Sequence, residues 1–172
     1  MYYFTENHFE KAVLEVLQEY DYEVLSSGEV TRDYRNPLYM EALEESLFRL
    51  NRELPAVAVE EAIRRLQSLD AGTLIQKNKQ FTDWLQSGME VTFDEGGETV
   101  TRLVKLVDYD NVGNNSFTVI NQWTVQGATG AIKRPDIVVF VNGLPLVVVE
   151  LKSGSRDEVS TTDAYLQLRN YM

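Results

Sequence analysis

A chain of 172 residues, 44% apolar and 25% charged, is long enough for one domain with a proper core and has the composition of an ordinary globular protein. Its zero cysteines and single histidine, His8, exclude disulfides, thiol nucleophiles, thiolate metal sites and any multi-histidine zinc site. A net charge of −11 excludes capture of nucleic acid by the overall field, so affinity for a polyanion must come from elsewhere.

No apolar run approaches the roughly 18–20 residues that span a bilayer. The opening "MYYFTENHFE" lacks the basic start and apolar middle of a signal peptide. With the missing cysteines, this points to a cytoplasmic protein.

Residues 5–20 predict an amphipathic helix with Thr5 as its N-cap and Phe9, Val13, Val16, Leu17 and Tyr20 on one stripe. His8 falls away from that stripe and is expected at the surface. "YEVL" at 22–25 predicts a short strand, and helices are predicted over 37–51, 57–69 and 73–88, the last closed by Gly88. After Gly88 the texture becomes that of strands: 89–110 alternates around Gly96-Gly97, a hairpin signal, and 114–127 supplies another strand or two. Ile137–Val141 and Leu146–Leu151 form the next pair, joined by a turn around Asn142-Gly143-Leu144. The tail from 157 is helical in pattern, with Ser160 or Thr161 as cap. It stops at Met172 in mid-pattern, which predicts one domain, residues 1–172, cut from a longer chain. Helices, then strands, then a helix give an α+β (mixed α/β) fold with a central mixed sheet flanked by helices.

The stretch "KRPDIVVFVNGLPLVVVELKSG", residues 133–154, sets charges among apolar β-formers. In a hairpin centred on Gly143, Asp136 and Glu150 lie opposite or nearly opposite each other, where paired Cβ atoms are about 4.5–5.5 Å apart. Strand alternation puts Lys152 on the same face as Glu150. Two acids together on an apolar ribbon repel, and a cation relieves that cost. Oxygen-only ligands of this kind suit Mg²⁺ or Mn²⁺. The lysine is placed to serve a water nucleophile. Because "LVVVELK" is apolar before the glutamate, the strand is expected to be buried on both faces, which disfavours a mere surface ion pair.

These residues closely resemble the nuclease signature of the restriction (R) subunit of type I restriction-modification enzymes, within the PD-(D/E)xK superfamily. The resemblance reaches upstream through "NSFTVINQWTV" and "LVDYDNVGNN" and down into the tail. It implies a restriction-endonuclease-like core in which Pro135-Asp136 and Glu150-Leu151-Lys152 form the catalytic motif. Asp136 and Glu150 would hold the metal and Lys152 would serve the attacking water. "QLRNY" adds a Gln-x-x-x-Tyr pattern, with Gln167 and Tyr171 at i, i+4 reaching the site or the DNA backbone. The superfamily often adds a glutamate from the first helix. Glu6 and Glu10 both lie on the margin of the apolar stripe, and Glu10 is favoured by its spacing to the "DYEVL" strand. Gln122, in "INQW", is a candidate to line the site from a neighbouring strand, with a satisfied core or edge amide as the preferred reading. Arg134, with Lys133, Arg156 and Arg169, is a candidate for phosphate contact.

The resemblance further implies double-stranded DNA as substrate, Mg²⁺ as cofactor, and modification (M) and specificity (S) subunits as partners of a longer R subunit. ATP would be used only in motor domains outside this piece, which has no GxxxxGK[ST] loop. Borrowed DNA affinity would explain the acidic charge. Rival readings are a stand-alone nuclease of DNA repair or RNA processing and a catalytically silent scaffold of the same fold.

Overall fold

The computed structural model describes residues 5–69, 72–127, 129–152 and 161–169. In chain order the first elements are α1 (Glu6–Glu19), β1 (Glu23–Ser26), α2 (Met40–Leu50), α3 (Ala56–Gln67) and α4 (Leu74–Ser87). Then follow β2 (Met89–Glu95), β3 (Glu98–Val104), β4 (Phe117–Asn121), β5 (Val125–Gln126), β6 (Ile132–Lys133), β7 (Ile137–Val141), β8 (Leu144–Val149) and α5 (Thr161–Arg169). The fold is α+β with a central mixed sheet, as expected. Backbone contacts divide it into two compact units.

The first unit takes the described residues of Met1–Pro37, Phe117–Phe140 and Pro145–Met172. Its sheet has the order β1-β4-β7-β8. β1 and β4 are parallel, with Val24 opposite Val119. β4 and β7 run antiparallel: Gln122 N–H donates to the Asp136 carbonyl at 2.8 Å beyond one end and Asn142 N–H to the Ser116 carbonyl at 2.9 Å beyond the other.

Helix α1 packs on β1. Thr5 caps it as expected, with its backbone N–H and hydroxyl 3.1 and 2.9 Å from the exposed His8 Nδ1. The inward face differs from the predicted stripe. Glu10, Val13, Leu14 and Leu17 are half-buried at i, i+3, i+4 and i+7, whereas Phe9, Val16 and Tyr20 are exposed. The helix is rotated so that a carboxylate faces the sheet.

Two further expectations need correcting. β8 begins at Leu144, not Leu146, and ends before Glu150. Asn142 at φ 51° and Gly143 at φ 76° form a two-residue turn of the left-handed type that matches strand twist, so pairing resumes at once. β8 is also not buried on both faces: Leu146, Val147 and Val148 are 38%, 49% and 38% exposed. It is the terminal strand of the sheet among the described residues. β5 and β6 form a two-rung ladder, Val125 opposite Lys133 and Gln126 opposite Ile132, too short for any periodicity to reveal.

The second unit comprises Leu38–Ser116 and Val141–Leu144. Its core joins Leu43 and Leu47 of α2, Val59, Ala62 and Ile63 of α3, and Trp84 of α4 to Met89, Val91 and Val104 of the β2–β3 hairpin. β2 alternates buried and exposed residues as its sequence predicts, and Gly96-Gly97 closes the hairpin between Glu95 and Glu98. Helix α2 starts at Met40 instead of 37, because Tyr39 is its N-cap with a non-helical φ of −86° and ψ of 89°, and its N–H donates outward to the Gly143 carbonyl at 2.9 Å. Asn142 is fully buried and fully bonded: its Oδ1 accepts from Ser116 N–H at 2.8 Å, and its Nδ2 donates to the Leu106 carbonyl at 2.9 Å and to Asn115 Oδ1 at 2.8 Å.

Candidate active site

Asp136 lies one residue before β7, and Glu150 and Lys152 follow the end of β8. The hairpin therefore brings the motif together through its strand ends, not by alternation along a strand. Leu151 N–H donates to Asp136 Oδ2 at 2.7 Å, setting that carboxylate directly against the peptide between Glu150 and Lys152. Lys152 Nζ lies 3.2 Å from Glu150 Oε1. The side chain of Glu150 is 2% exposed and that of Lys152 25%, so the acid is enclosed while the ammonium reaches solvent. A carboxylate this buried needs a cationic partner, and Lys152 supplies one.

Glu10, of the two glutamates considered on α1, arrives at the same place. Its Oε1 accepts from Asn121 Nδ2 at 2.7 Å and its Oε2 from Gln122 Nε2 at 2.8 Å. The same Gln122 nitrogen is 3.4 Å from Asp136 Oδ1. One amide thus touches acids carried by α1 and by the start of β7. The side chain of Glu6 lies outside the described residues.

Behind this row, Trp123 is buried, donates from Nε1 to the Pro37 carbonyl at 3.2 Å, and meets Phe140 edge-on at 4.9 Å between ring centres. The Arg32 guanidinium stacks on Trp123 at 3.4 Å and stands 4.9 Å from the Tyr34 ring. Its Nη2 donates to the Thr124 carbonyl, while Nε and Nη1 are buried without a hydrogen-bond partner among the described residues. Burial lowers the guanidinium pKa from its usual value, and the ring faces offset part of that cost.

The sequence offers Gln122 as a site-lining amide while favouring a structural one, and it singles out neither Asn121 nor Arg32. The available signal was the pair of adjacent amides directly after the apolar strand "FTVI". Arg134 is exposed, and Gln167 is half-buried on α5. Tyr171, the partner of Gln167 in the Gln-x-x-x-Tyr pattern, and Arg156 lie outside the described residues.

Among the described residues no three acids or imidazoles converge as a ready metal cage. The donor set nevertheless suits Mg²⁺ or Mn²⁺, which take one or two carboxylates and retain waters. Glu10 and Asp136 offer oxygens around one amide nitrogen, with Glu150 one peptide away from Asp136's backbone donor.

A mixed sheet whose last hairpin sets a Pro-Asp against a Glu-x-Lys, with a helix glutamate beside them, is a core of the PD-(D/E)xK kind. Residues 3–172 match the model of the type I restriction enzyme R protein N terminus, and the chain belongs to that family. It is 34% identical over 175 residues to the type I restriction enzyme HindI endonuclease subunit of Haemophilus influenzae, covering 97% of this chain and 17% of the relative. It is also 30% identical over 159 residues to a protein of Methanocaldococcus jannaschii that bears the provisional name type I restriction enzyme MjaIXP endonuclease subunit, covering 88% of this chain and 15% of that relative. The chain therefore spans less than a fifth of the length of these relatives.

Proposed function

We propose that this single domain is the metal-dependent endonuclease module of a type I restriction enzyme R subunit, hydrolysing phosphodiester bonds of unmodified foreign DNA. The observation that carries the reading is the bond from Leu151 N–H to Asp136 Oδ2, which ties the Pro-Asp to the Glu-x-Lys across the hairpin. Asp136, Glu150 and Glu10 would hold Mg²⁺ or Mn²⁺, and the ion would supply positive charge where the scissile phosphate gains negative charge.

The chain's own groups do the positioning. Glu150, enclosed, anchors Lys152, and Lys152 presents its ammonium to orient or help deprotonate the attacking water. Arg134, exposed just before Pro135, would meet phosphate, and Gln167 with Tyr171 would support the site. Double-stranded DNA is the substrate, delivered after ATP-driven translocation by other parts of the R subunit in assembly with M and S subunits in the cytoplasm. That division of labour accommodates a net charge of −11, and it predicts that the chain alone cuts DNA poorly.

Calorimetric titration with Mn²⁺ tests the reading. Wild type should bind the ion and Asp136→Ala should not. Equal binding by the two would remove the carboxylate metal site and the nuclease assignment with it.

A further inference from the structure

We infer that Gln122 is a positioning residue whose side-chain amide stands between Glu10 and Asp136 in place of a cation and holds the two acids ready for one. This rests on the metal-dependent reading above and adds to it a residue that the catalytic motif does not contain.

Carboxylates only accept hydrogen bonds, so the nitrogen end of the amide must face both of them. Nε2 lies 2.8 Å from Glu10 Oε2 and 3.4 Å from Asp136 Oδ1. The two acids come from separate elements, α1 and the approach to β7, and nothing in their local sequence obliges them to meet. Left alone, two like charges at this range would push α1 away from the sheet end. The amide hydrogens place partial positive charge where that repulsion is greatest.

The backbone shows that this arrangement is held, not incidental. Gln122 sits at φ 54°, in the left-handed region that favours glycine or asparagine. Its N–H is bonded to the Asp136 carbonyl at 2.8 Å, and its neighbour Trp123 is stacked under Arg32. A strained residue persists where its surroundings over-determine it, and such residues gather at functional sites. Asparagine would suit the backbone better but is one methylene shorter. Glutamine alone combines an amide with the reach to span two carboxylates.

The two contacts are unequal. Glu10 is gripped on both oxygens, by Asn121 at 2.7 Å and by Gln122 at 2.8 Å. Asp136 Oδ1 is held by the longer contact, and its Oδ2 by Leu151 N–H at 2.7 Å. A cation held by the two acids would supply the charge that the amide supplies at Asp136, with Asn121 still orienting Glu10.

The test is Mn²⁺ titration of Gln122→Gly and Gln122→Asn beside wild type and Asp136→Ala, with thermal midpoints taken without and with Mn²⁺. Gln122→Gly relieves the backbone strain while deleting the bridge, so it should fold and yet bind Mn²⁺ about 10- to 100-fold more weakly, the usual effect of losing a residue that orients metal ligands. Gln122→Asn, with an amide too short to span, should fall between glycine and wild type, and it carries the test if the glycine variant does not fold. A glycine or asparagine variant that folds and binds within twofold of wild type, while Asp136→Ala does not bind, overturns the role of Gln122 and leaves the metal site standing. If wild type itself binds no Mn²⁺, the nuclease reading and this inference fall together.

Discussion

Gly143→Ala is expected to destabilise the chain by about 3–5 kcal/mol. Three contributions lead there. A non-glycine residue at φ 76° costs about 1–2 kcal/mol. A Cβ at this position would lie 2.4 Å from both the Leu43 nitrogen and the Tyr39 carbonyl oxygen, so backbone, not a flexible side chain, would have to move. Moving it breaks the Tyr39 N–H bond to the Gly143 carbonyl, a loss of about 1–3 kcal/mol, and disturbs Leu43, which is fully buried. For a chain of this size the total should lower the thermal midpoint by roughly 6–20 °C. Gly97→Ala is the control. It carries the same left-handed penalty at φ 93° but has nothing within 4 Å of the added methyl, so it should cost only about 1–2 kcal/mol. Urea unfolding of both variants at pH 7 measures the difference. Equal losses for the two would refute the steric part of the reasoning and with it the claim that α2 fixes this turn.

Asn51 is 1% exposed, donates to the Leu47 and Lys105 carbonyls at 2.8 and 3.0 Å, and accepts from Lys105 N–H at 2.8 Å. Asn51→Ala should cost about 2–3 kcal/mol by leaving those backbone groups unsatisfied, read as a lower urea midpoint; a shift below about 0.5 kcal/mol would contradict the assignment. Asp108 accepts from the Asn114 side chain, then from Asn111 N–H and Asp110 N–H, which together hold its carboxyl below the ordinary value of 3.8. Its contribution is therefore present above that value and lost as pH falls through the lower folded one. The gap in thermal midpoint between wild type and Asp108→Asn should be full at pH 7 and close in acid below about pH 4; a gap that widens there would reverse the sign of the argument.

Much of the fold was legible because its signals are local. Thr5 announces α1, Gly88 ends α4, and Gly96-Gly97 turns the β2–β3 hairpin with the expected pairing. The rotation of α1 was not legible. Apolar periodicity weighs Phe9 and Tyr20 as inward residues, whereas the orientation of Glu10 depends on Asn121 and Gln122, more than a hundred residues away in the chain. The approach of Asp136 to the Glu-x-Lys followed from Asn142-Gly143 as a turn, but the register did not, because a two-residue loop and a three-residue loop place the strand end differently. The contact of Gln122 with both acids was not legible because it depends on a left-handed backbone after a strand, which no side-chain pattern encodes.

The chain contains two tryptophans, and each compact unit holds one of them: Trp84 in the helical unit, near Arg65, and Trp123 beneath Arg32 beside the acids. The two indoles thus lie in different units, and replacing one leaves the other as the tryptophan reporter of its own unit. With Trp84 replaced by phenylalanine and excitation set to the red edge where tyrosine does not absorb, the remaining emission comes from the indole next to Gln122, giving an unlabelled optical view of that residue as ions are titrated in.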